Sequence, residues 1–494
     1  ITENTSSDCL KRGGVLHHNP SDATCAERSF HLFYESAIKF MSAWRRLYVL
    51  IVPGLLNPRL SYFQRTVSCF SMQRSYLSRK RKSRSVSFST KRISAQMVVD
   101  GNEELGEAQL DLLDVMPTEQ KVSIFQQTTV AEAKSLTDGF DLGKKYNNII
   151  LPFVGYGTYK LGREIARSQT LEALRQGYRC IDTAFIYGGE STEKQVGLAI
   201  QDAINDEVLK NGREDLFVIT KHWRKYHGYD PANKCLNLSL KRLQLDYIDL
   251  WLIHWPGPAW NTMSRRKDLI AKHGPWHYAV HSEKEMPQFR AETWRAMEDA
   301  VKSGKVKAIG VCNFSIKHLE HLKKTATIWP PALNQIECHP LFPQNKLVDY
   351  CRKEGIIVQA YSSLGGQDVG KKFWRTLYPL PKKRGKFKPE QVTKLSNAPP
   401  VLALAAETNR TSAQVLLRWG LEKNFALVPK TSSKERMQEN AGILDFSLSA
   451  DQMERLETEL QNTLNEAATR ENKTVESMGR LCWRNDPLRD LYFE

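Results

Sequence analysis

Asp182, Tyr187, Lys221 and His254 carry side chains that together can do acid–base work on a carbonyl group. Asp182 lies inside the apolar run Tyr178–Gly188, where a carboxylate is costly to bury unless a cation pairs with it. Lys221, in the next apolar run (Leu216–Trp223), meets that need, and His254 falls near the end of the one after (Tyr247–Pro256). A tyrosine titrates at about 10, too high for an efficient proton donor at neutral pH. A neighbouring ammonium is expected to lower that value, and a carboxylate on its far side to keep the ammonium charged. His254 adds a hydrogen bond that orients a carbonyl oxygen. The set suits proton delivery to that oxygen while another species attacks the carbon. The sequence offers no nucleophile for the attack: no GxSxG, no matched Cys/His pair and no cluster of metal ligands. The attacking species is then a hydride from a cofactor. Taken singly, these residues read more plainly as an interstrand ion pair and a core histidine. Four polar groups at the same end of three consecutive strands argue against that plainer reading.

The runs that carry them belong to a regular series beginning near Asp141. Strands are predicted at Phe153–Thr158, Arg179–Tyr187, Leu216–Lys221, Ile248–His254, Val306–Cys312, Ala332–Glu337, Ile356–Tyr361 and Ala426–Pro429. Amphipathic helical stretches lie between them, at Arg163–Gln176, Thr192–Asn205, Thr293–Ser303, Lys317–Thr325, Lys346–Glu354 and Ser412–Glu422. Alternating strands and helices at this spacing mean parallel strands with crossover helices. Eight such units fit a closed α/β fold, the (β/α)8 TIM barrel, better than an open doubly wound sheet. No GxGxxG follows the first strand, which weakens a Rossmann reading further. In a barrel the active site lies at the C-terminal ends of the strands. Tyr187, Lys221, His254, Asn313, Gln335 and Tyr361 all fall there.

The motifs GYRCIDTAFIYG, VITKHW, SLKRLQLDYIDLWLIHWPG, KVKAIGVCNFS, NQIECHP, VQAYSSLG and VPKTSSKERMQEN stand in one order along residues 141 to about 470. In content, order and spacing they resemble the aldo-keto reductase superfamily. The resemblance implies an NADPH-dependent barrel that reduces aldehydes and ketones to alcohols, with Tyr187 as proton donor and a small-molecule carbonyl compound as partner. It implies a catalytic tetrad of Asp182, Tyr187, Lys221 and His254, and no metal. Nicotinamide would stack on Tyr361, with its carboxamide held by Asn313 and Gln335. Ser362 and Leu364 would line the pyrophosphate path. Lys430, Thr431, Ser432 and Arg436 match the 2′-phosphate site, and Glu439 and Asn440 the adenine site. Lys and Arg flanking a hydroxyl pair at a strand–helix junction make a good phosphate site in their own right. Tyr159, Trp223 and Trp255 match substrate-pocket positions, although many members have tryptophan where Tyr159 stands, and aromatic walls suit carbonyl compounds with apolar bodies. Cys312 stands where the family usually has serine, which weakens one carboxamide hydrogen bond. The alternative function is an NADPH-binding, redox-sensing regulatory subunit with little turnover; the intact tetrad speaks against it.

The net charge of +16 on 494 residues suggests nucleic acid or a membrane until its distribution is seen. Residues 41–99 hold twelve Lys or Arg and no Asp or Glu, so a short stretch carries most of the excess. No nucleic-acid partner is expected on that basis. No apolar run reaches the roughly 18 residues of a membrane span, so stable membrane insertion is not expected either. An acid-free, Arg/Ser-rich segment has the composition of an organelle transit peptide or of disordered sequence. The compartment is therefore cytoplasmic, or a mitochondrial or plastid matrix if this segment is a transit peptide. Residues 1–40 show no periodicity and begin at Ile1, as a fragment or an over-extended translation would. Residues 100–138 are acidic and read as a linker or helical arm, leaving 139–494 for the barrel and its tail. Nine cysteines without CxxC pairs point to a reduced compartment. The sequon Asn409–Arg410–Thr411 would then go unused, with Thr411 and Ser412 capping the following helix. Two long loops, Gly257–Arg290 and Gly365–Pro400, would shape specificity. The second is rich in Lys and Arg, as a cofactor strap, an attractor of anionic substrates or a solvated loop would be. A monomer is the expectation by resemblance.

Overall fold

The computed structural model describes residues 126–189, 191–257, 285–366, 369–379 and 392–482. Expectations for residues 1–125, for the central parts of both long loops and for the tail beyond 482 lie outside these residues. Eleven strands are described: β1 Gln126–Gln127, β2 Asp138–Asp141, β3 Ile150–Pro152, β4 Tyr156–Gly157, β5 Cys180–Asp182, β6 Phe217–His222, β7 Ile248–Ile253, β8 Val306–Cys312, β9 Leu333–Glu337, β10 Ile357–Tyr361 and β11 Ala426–Leu427. The helices are α1 Ala166–Arg175, α2 Thr192–Asn205, α3 Tyr229–Leu243, α4 Met286–Lys302, α5 Ile316–Lys323, α6 Asn345–Glu354, α7 Lys371–Leu377, α8 Pro399–Thr408, α9 Ser412–Glu422, α10 Lys434–Ala441, α11 Ala450–Glu471 and α12 Val475–Gly479.

Strands β4 to β11 form one parallel sheet in sequence order, each joined to the next through at least one helix. A parallel bridge between Val154 and Leu427 joins the last strand back to the first, with Gly155 N–H donating to Leu427 O at 2.8 Å and Leu427 N–H to Phe153 O at 2.8 Å. That seam closes the (β/α)8 barrel. Every residue of β6 and β7 is buried, as expected of strands covered on both faces, which is why apolar residues fill most of both. Within β6 the exceptions to apolarity are Thr220, Lys221 and His222, and each is fully buried. Among the described residues no helix is long and apolar enough to cross a membrane.

Sequence patterns located the helices well. Thr192–Asn205 and Ser412–Glu422 match their predicted bounds. Thr411 caps α9 as expected, its hydroxyl accepting Gln414 N–H at 3.2 Å while the Gln414 amide oxygen accepts Thr411 N–H at 3.1 Å. Two strand assignments need correction. The run Arg179–Tyr187 is strand only at Cys180–Asp182. Beyond it the chain turns, with Tyr187 N–H donating to Ala184 O at 3.1 Å and Gly189 N–H to Ile186 O at 3.2 Å. Tyr187 therefore sits in a loop five residues past the strand, held there by the turn and by burial of Ala184 and Phe185. The run Phe153–Thr158 contributes only Tyr156–Gly157 as strand.

A small sheet outside the barrel was not anticipated. Parallel β1–β2 and antiparallel β2–β3 build it, so the pairing of Gln126–Gln127 with Asp138–Gly139 straddles the boundary expected at 138/139. It leads into buried Tyr146, whose hydroxyl donates to Ile309 O at 3.2 Å, while Lys145 Nζ donates to Pro330 O at 2.9 Å. Pro330 precedes β9, so this segment lies against the end of the barrel where strands begin. The opposite end stays available for a site.

Candidate active site

Asp182 ends β5 and Lys221 lies one residue before the end of β6, its neighbour in the sheet. Lys221 Nζ reaches both carboxylate oxygens of Asp182 at 2.7 Å, Thr183 O at 2.9 Å and Tyr187 Oη at 3.3 Å. Four acceptors thus surround a wholly buried ammonium. A buried cation demands that degree of compensation. Asp182 is held from its other side by Gln335, whose amide donates at 2.8 Å and also reaches Gln359 Oε1 at 2.6 Å. His254 follows β7 and packs with its ring centroid 5.7 Å from that of Tyr187.

These residues share a cavity of about 220 Å³, lined by Asp182, Tyr187 and His254 with Tyr159, Lys160 and Cys312 on one side. Asn313, Gln335, Tyr361, Ser362 and Leu364 continue it along the strand ends of β8 to β10, and Val428, Pro429 and Lys430 complete it after β11. The cavity thus opens at the C-terminal ends of the strands. Three of its lining residues, Lys160, Asn313 and Ser362, take left-handed backbone (φ 56°, 62° and 55°). Such conformations cost of order 1–3 kcal/mol for residues other than glycine and concentrate where function fixes the backbone.

The electrostatics depart from one expectation. Lys221 was expected to draw the Tyr187 phenol down; instead its pKa is pushed well above 10, first by burial, then by the Asp182 carboxylate and the nearby acidic groups of Cys312 and Tyr159. Burial takes the phenol out of water, and Asp182, bound to the ammonium through both oxygens, offsets the lysine's charge there. Tyr187 is accordingly firmly protonated. The His254 imidazole is driven well below its usual value, first by burial and then by Lys221, Arg224 and His222, so the ring is neutral at pH 7. Its Nδ1 is buried without a hydrogen-bond partner. Burial likewise raises the Cys312 thiol, keeping it uncharged.

Placement of the remaining sequence candidates is mixed. Tyr361 Oη donates to Asn313 Oδ1 at 2.8 Å, and the Asn313 amide donates to His254 O at 3.0 Å and approaches Cys312 Sγ at 3.2 Å. Lys430 lies on the cavity wall, its pKa lowered by burial and by Lys160. Thr431, Ser432, Arg436, Glu439 and Asn440 lie beyond that wall, on the segment that runs from β11 into α10. There Ser433 caps the helix, accepting Arg436 N–H at 3.3 Å, and Tyr156 Oη donates to Thr431 O at 2.6 Å. Exposed Ser432 and Arg436 face solvent beside this helix start, a good setting for an anion. Of the three aromatic candidates, Tyr159 lines the cavity with its ring 5.0 Å from that of Tyr187. Trp223 lies 5.9 Å from the His254 ring, whereas Trp255 is buried and stacks on His254 at 6.2 Å, inside the wall.

Sequence reasoning missed four contributors. Gln359 is a lone polar residue in an apolar strand, a signal that was present; it pairs in register with Gln335. Lys160 directly follows Tyr159 and lines the same cavity. Cys482 also lines it, with Sγ 2.9 Å from Ser362 Oγ, and Glu337 holds the backbone beside Cys482; 120 or more residues separate these partners, and no local pattern announces them. Among the described residues no group of three or more His, Cys, Asp or Glu is placed to hold a metal ion. A cavity lined by the Tyr361 ring, the carboxamides of Asn313 and Gln335, and Lys160 and Lys430 fits a dinucleotide.

The Aldo/keto reductase family profile matches residues 154–460. Aldo-keto reductase family 1 member A1 of Xenopus tropicalis is 35% identical over 310 residues, covering 63% of this chain and 85% of the relative. The NAD(P)H-dependent D-xylose reductase I,II of Candida tropicalis is 34% identical over 310 residues, covering 62% and 88%. Among solved structures, the aldose reductase from Schistosoma japonicum superposes with a TM-score of 0.51 at 31% identity, covering 63% of this chain and 90% of that one.

Proposed function

The chain belongs to the aldo/keto reductase family, and from that premise we propose that it reduces aldehydes and ketones to alcohols with NADPH, Tyr187 giving the proton. The observation that carries this reading is the unbroken contact chain Asp182–Lys221–Tyr187, opening into one cavity with His254. When bound, the reduced nicotinamide supplies the hydride. Tyr361, Asn313 and Gln335 hold the ring and its carboxamide, and Lys160, Ser362, Leu364 and Lys430 flank the phosphates. Thr431, Ser432 and Arg436 receive the 2′-phosphate, which favours NADPH over NADH; Glu439 and Asn440 receive the adenine. Neutral His254 orients the substrate carbonyl. As negative charge develops on the carbonyl oxygen, Tyr187 passes its phenolic proton to it, and Lys221 at 3.3 Å stabilises the phenolate left behind. Asp182, fixed by Gln335, keeps the ammonium in place throughout. Tyr159 and Trp223 offer apolar faces to the body of the substrate.

The test is NADPH consumption by the full chain with a panel of an aromatic aldehyde, methylglyoxal, an aldose and a simple ketone. Tyr187→Phe is expected to lower turnover by about 10²–10⁴-fold while NADPH binding, followed by fluorescence, is retained. Tight NADPH binding without turnover of any substrate by the wild type would overturn the reductase reading in favour of a cofactor-binding regulatory subunit.

A further inference from the structure

Glu337 closes strand β9 two residues after Gln335, so both side chains leave the same face of the strand. In register it lies opposite Tyr361, as Gln335 lies opposite Gln359. It is buried, at 4% exposure, among the residues that bound the cofactor cavity, yet nothing in the proton relay uses it. Its carboxylate turns instead to the far end of the chain. Glu337 Oε1 accepts Leu481 N–H at 2.6 Å and Cys482 N–H at 3.0 Å, and His339 Nε2 lies 3.2 Å from the same oxygen. Two adjacent backbone amides on one carboxylate oxygen make a charge-assisted clamp.

What the clamp holds is a wall of the cavity. Cys482 lines it, with Sγ 2.9 Å from Ser362 Oγ. The approach is close enough that a Cβ on Gly366, at φ 64°, would come within 2.7 Å of that sulfur. Leu481 is fully buried alongside. We propose that Glu337 is a positioning residue for cofactor exchange: it fastens the Leu481–Cys482 backbone across the cavity, so the dinucleotide enters and leaves when this clamp opens. The inference rests on the dinucleotide reading of the cavity.

Two measurements on the full chain test it, and one needs no cofactor. Iodoacetamide labelling of Cys482, followed by peptide mass spectrometry, reports on the wall itself; Cys180 and Cys351, both fully buried, report on the rest of the fold. In Glu337→Ala, Cys482 is expected to label about tenfold faster with Cys180 and Cys351 unchanged. NADPH release, followed by stopped-flow fluorescence, is expected to quicken by about the same factor. Glu337→Gln keeps an oxygen that accepts both amides, and both rates should fall between wild type and Glu337→Ala. If labelling of all three cysteines rises in Glu337→Ala, that variant has unfolded and the Glu337→Gln pair of rates decides the question. Wild-type rates of Cys482 labelling and NADPH release in a folded variant would overturn the proposal. Failure of the wild type to bind NADPH would overturn the dinucleotide reading and, with it, the role in exchange; faster Cys482 labelling in Glu337→Ala would then assign the clamp to wall placement alone.

Discussion

Tyr187 and His254 are displaced from their ordinary pKa values in opposite directions by the same cause, burial. As the proposed donor, Tyr187 acts in its protonated form, which persists below its raised pKa and is lost only as pH climbs past it. In the proposed reaction His254 acts in its neutral form, which persists above its lowered pKa and is lost only as pH falls past it. The two limits lie far apart. Reduction is therefore expected to show kcat/KM nearly flat from about pH 6 to 9; a bell with limbs inside that window would contradict both assignments. Cys312 offers a second prediction at this scale. Its neutral thiol is a weak donor where a hydroxyl would serve the carboxamide better. Cys312→Ser is expected to tighten NADPH binding by roughly two- to tenfold, read by fluorescence titration, with little change in kcat.

At the scale of elements, strand ends and the turns after them together supply the groups of the site. The strand β5 stops at Asp182, and the turn that follows carries Tyr187 back over Lys221 on β6. The strands β9 and β10 pair Gln335 with Gln359 and Glu337 with Tyr361, so one register fixes the hold on Asp182 and the clamp on the C-terminal segment together. A one-residue slip would turn all four side chains away. Helix α10 is the proposed seat of the coenzyme choice: its N-terminus is capped by Ser433, and Ser432 and Arg436 are exposed around it. Arg436→Ala is expected to weaken NADPH binding by about tenfold and leave NADH binding unchanged, because only the former has a 2′-phosphate. Equal losses for both cofactors would place Arg436 elsewhere in the site.

Across the whole molecule, several histidines are buried in neutral form. Burial lowers His222 to about 4 and His318 to about 3, and His254 lies well below its usual value. Their folded values lie beneath that of an unfolded histidine, about 6.5. Their contribution to stability is therefore complete above that pH and is lost as pH falls through the interval, where the unfolded chain binds more protons. Thermal stability is expected to drop steadily from pH 7 to 4.5. His222→Leu, which removes this buried ring, should flatten the slope by up to about 1.4 kcal/mol per pH unit. An unchanged slope would show that His222 titrates alike in both states.

The amino-acid sequence alone determined the kind of fold, the order of its elements and the four central groups. Those features are written locally: apolar runs of strand length, helical periodicity between them, and polar residues punctuating the runs at one end. Thr411 as a helix cap and the bounds of α2 and α9 were equally legible, since capping and periodicity involve neighbours in the chain. Tertiary structure alone decided the rest. It placed Tyr187 in a turn instead of a strand, brought Gln359 to Gln335 and Glu337 to Leu481, and showed that burial prevails over the lysine at the phenol. Each of those depends on distance in space and on exclusion of water. Neither quantity is carried by a stretch of chain until it has closed on itself.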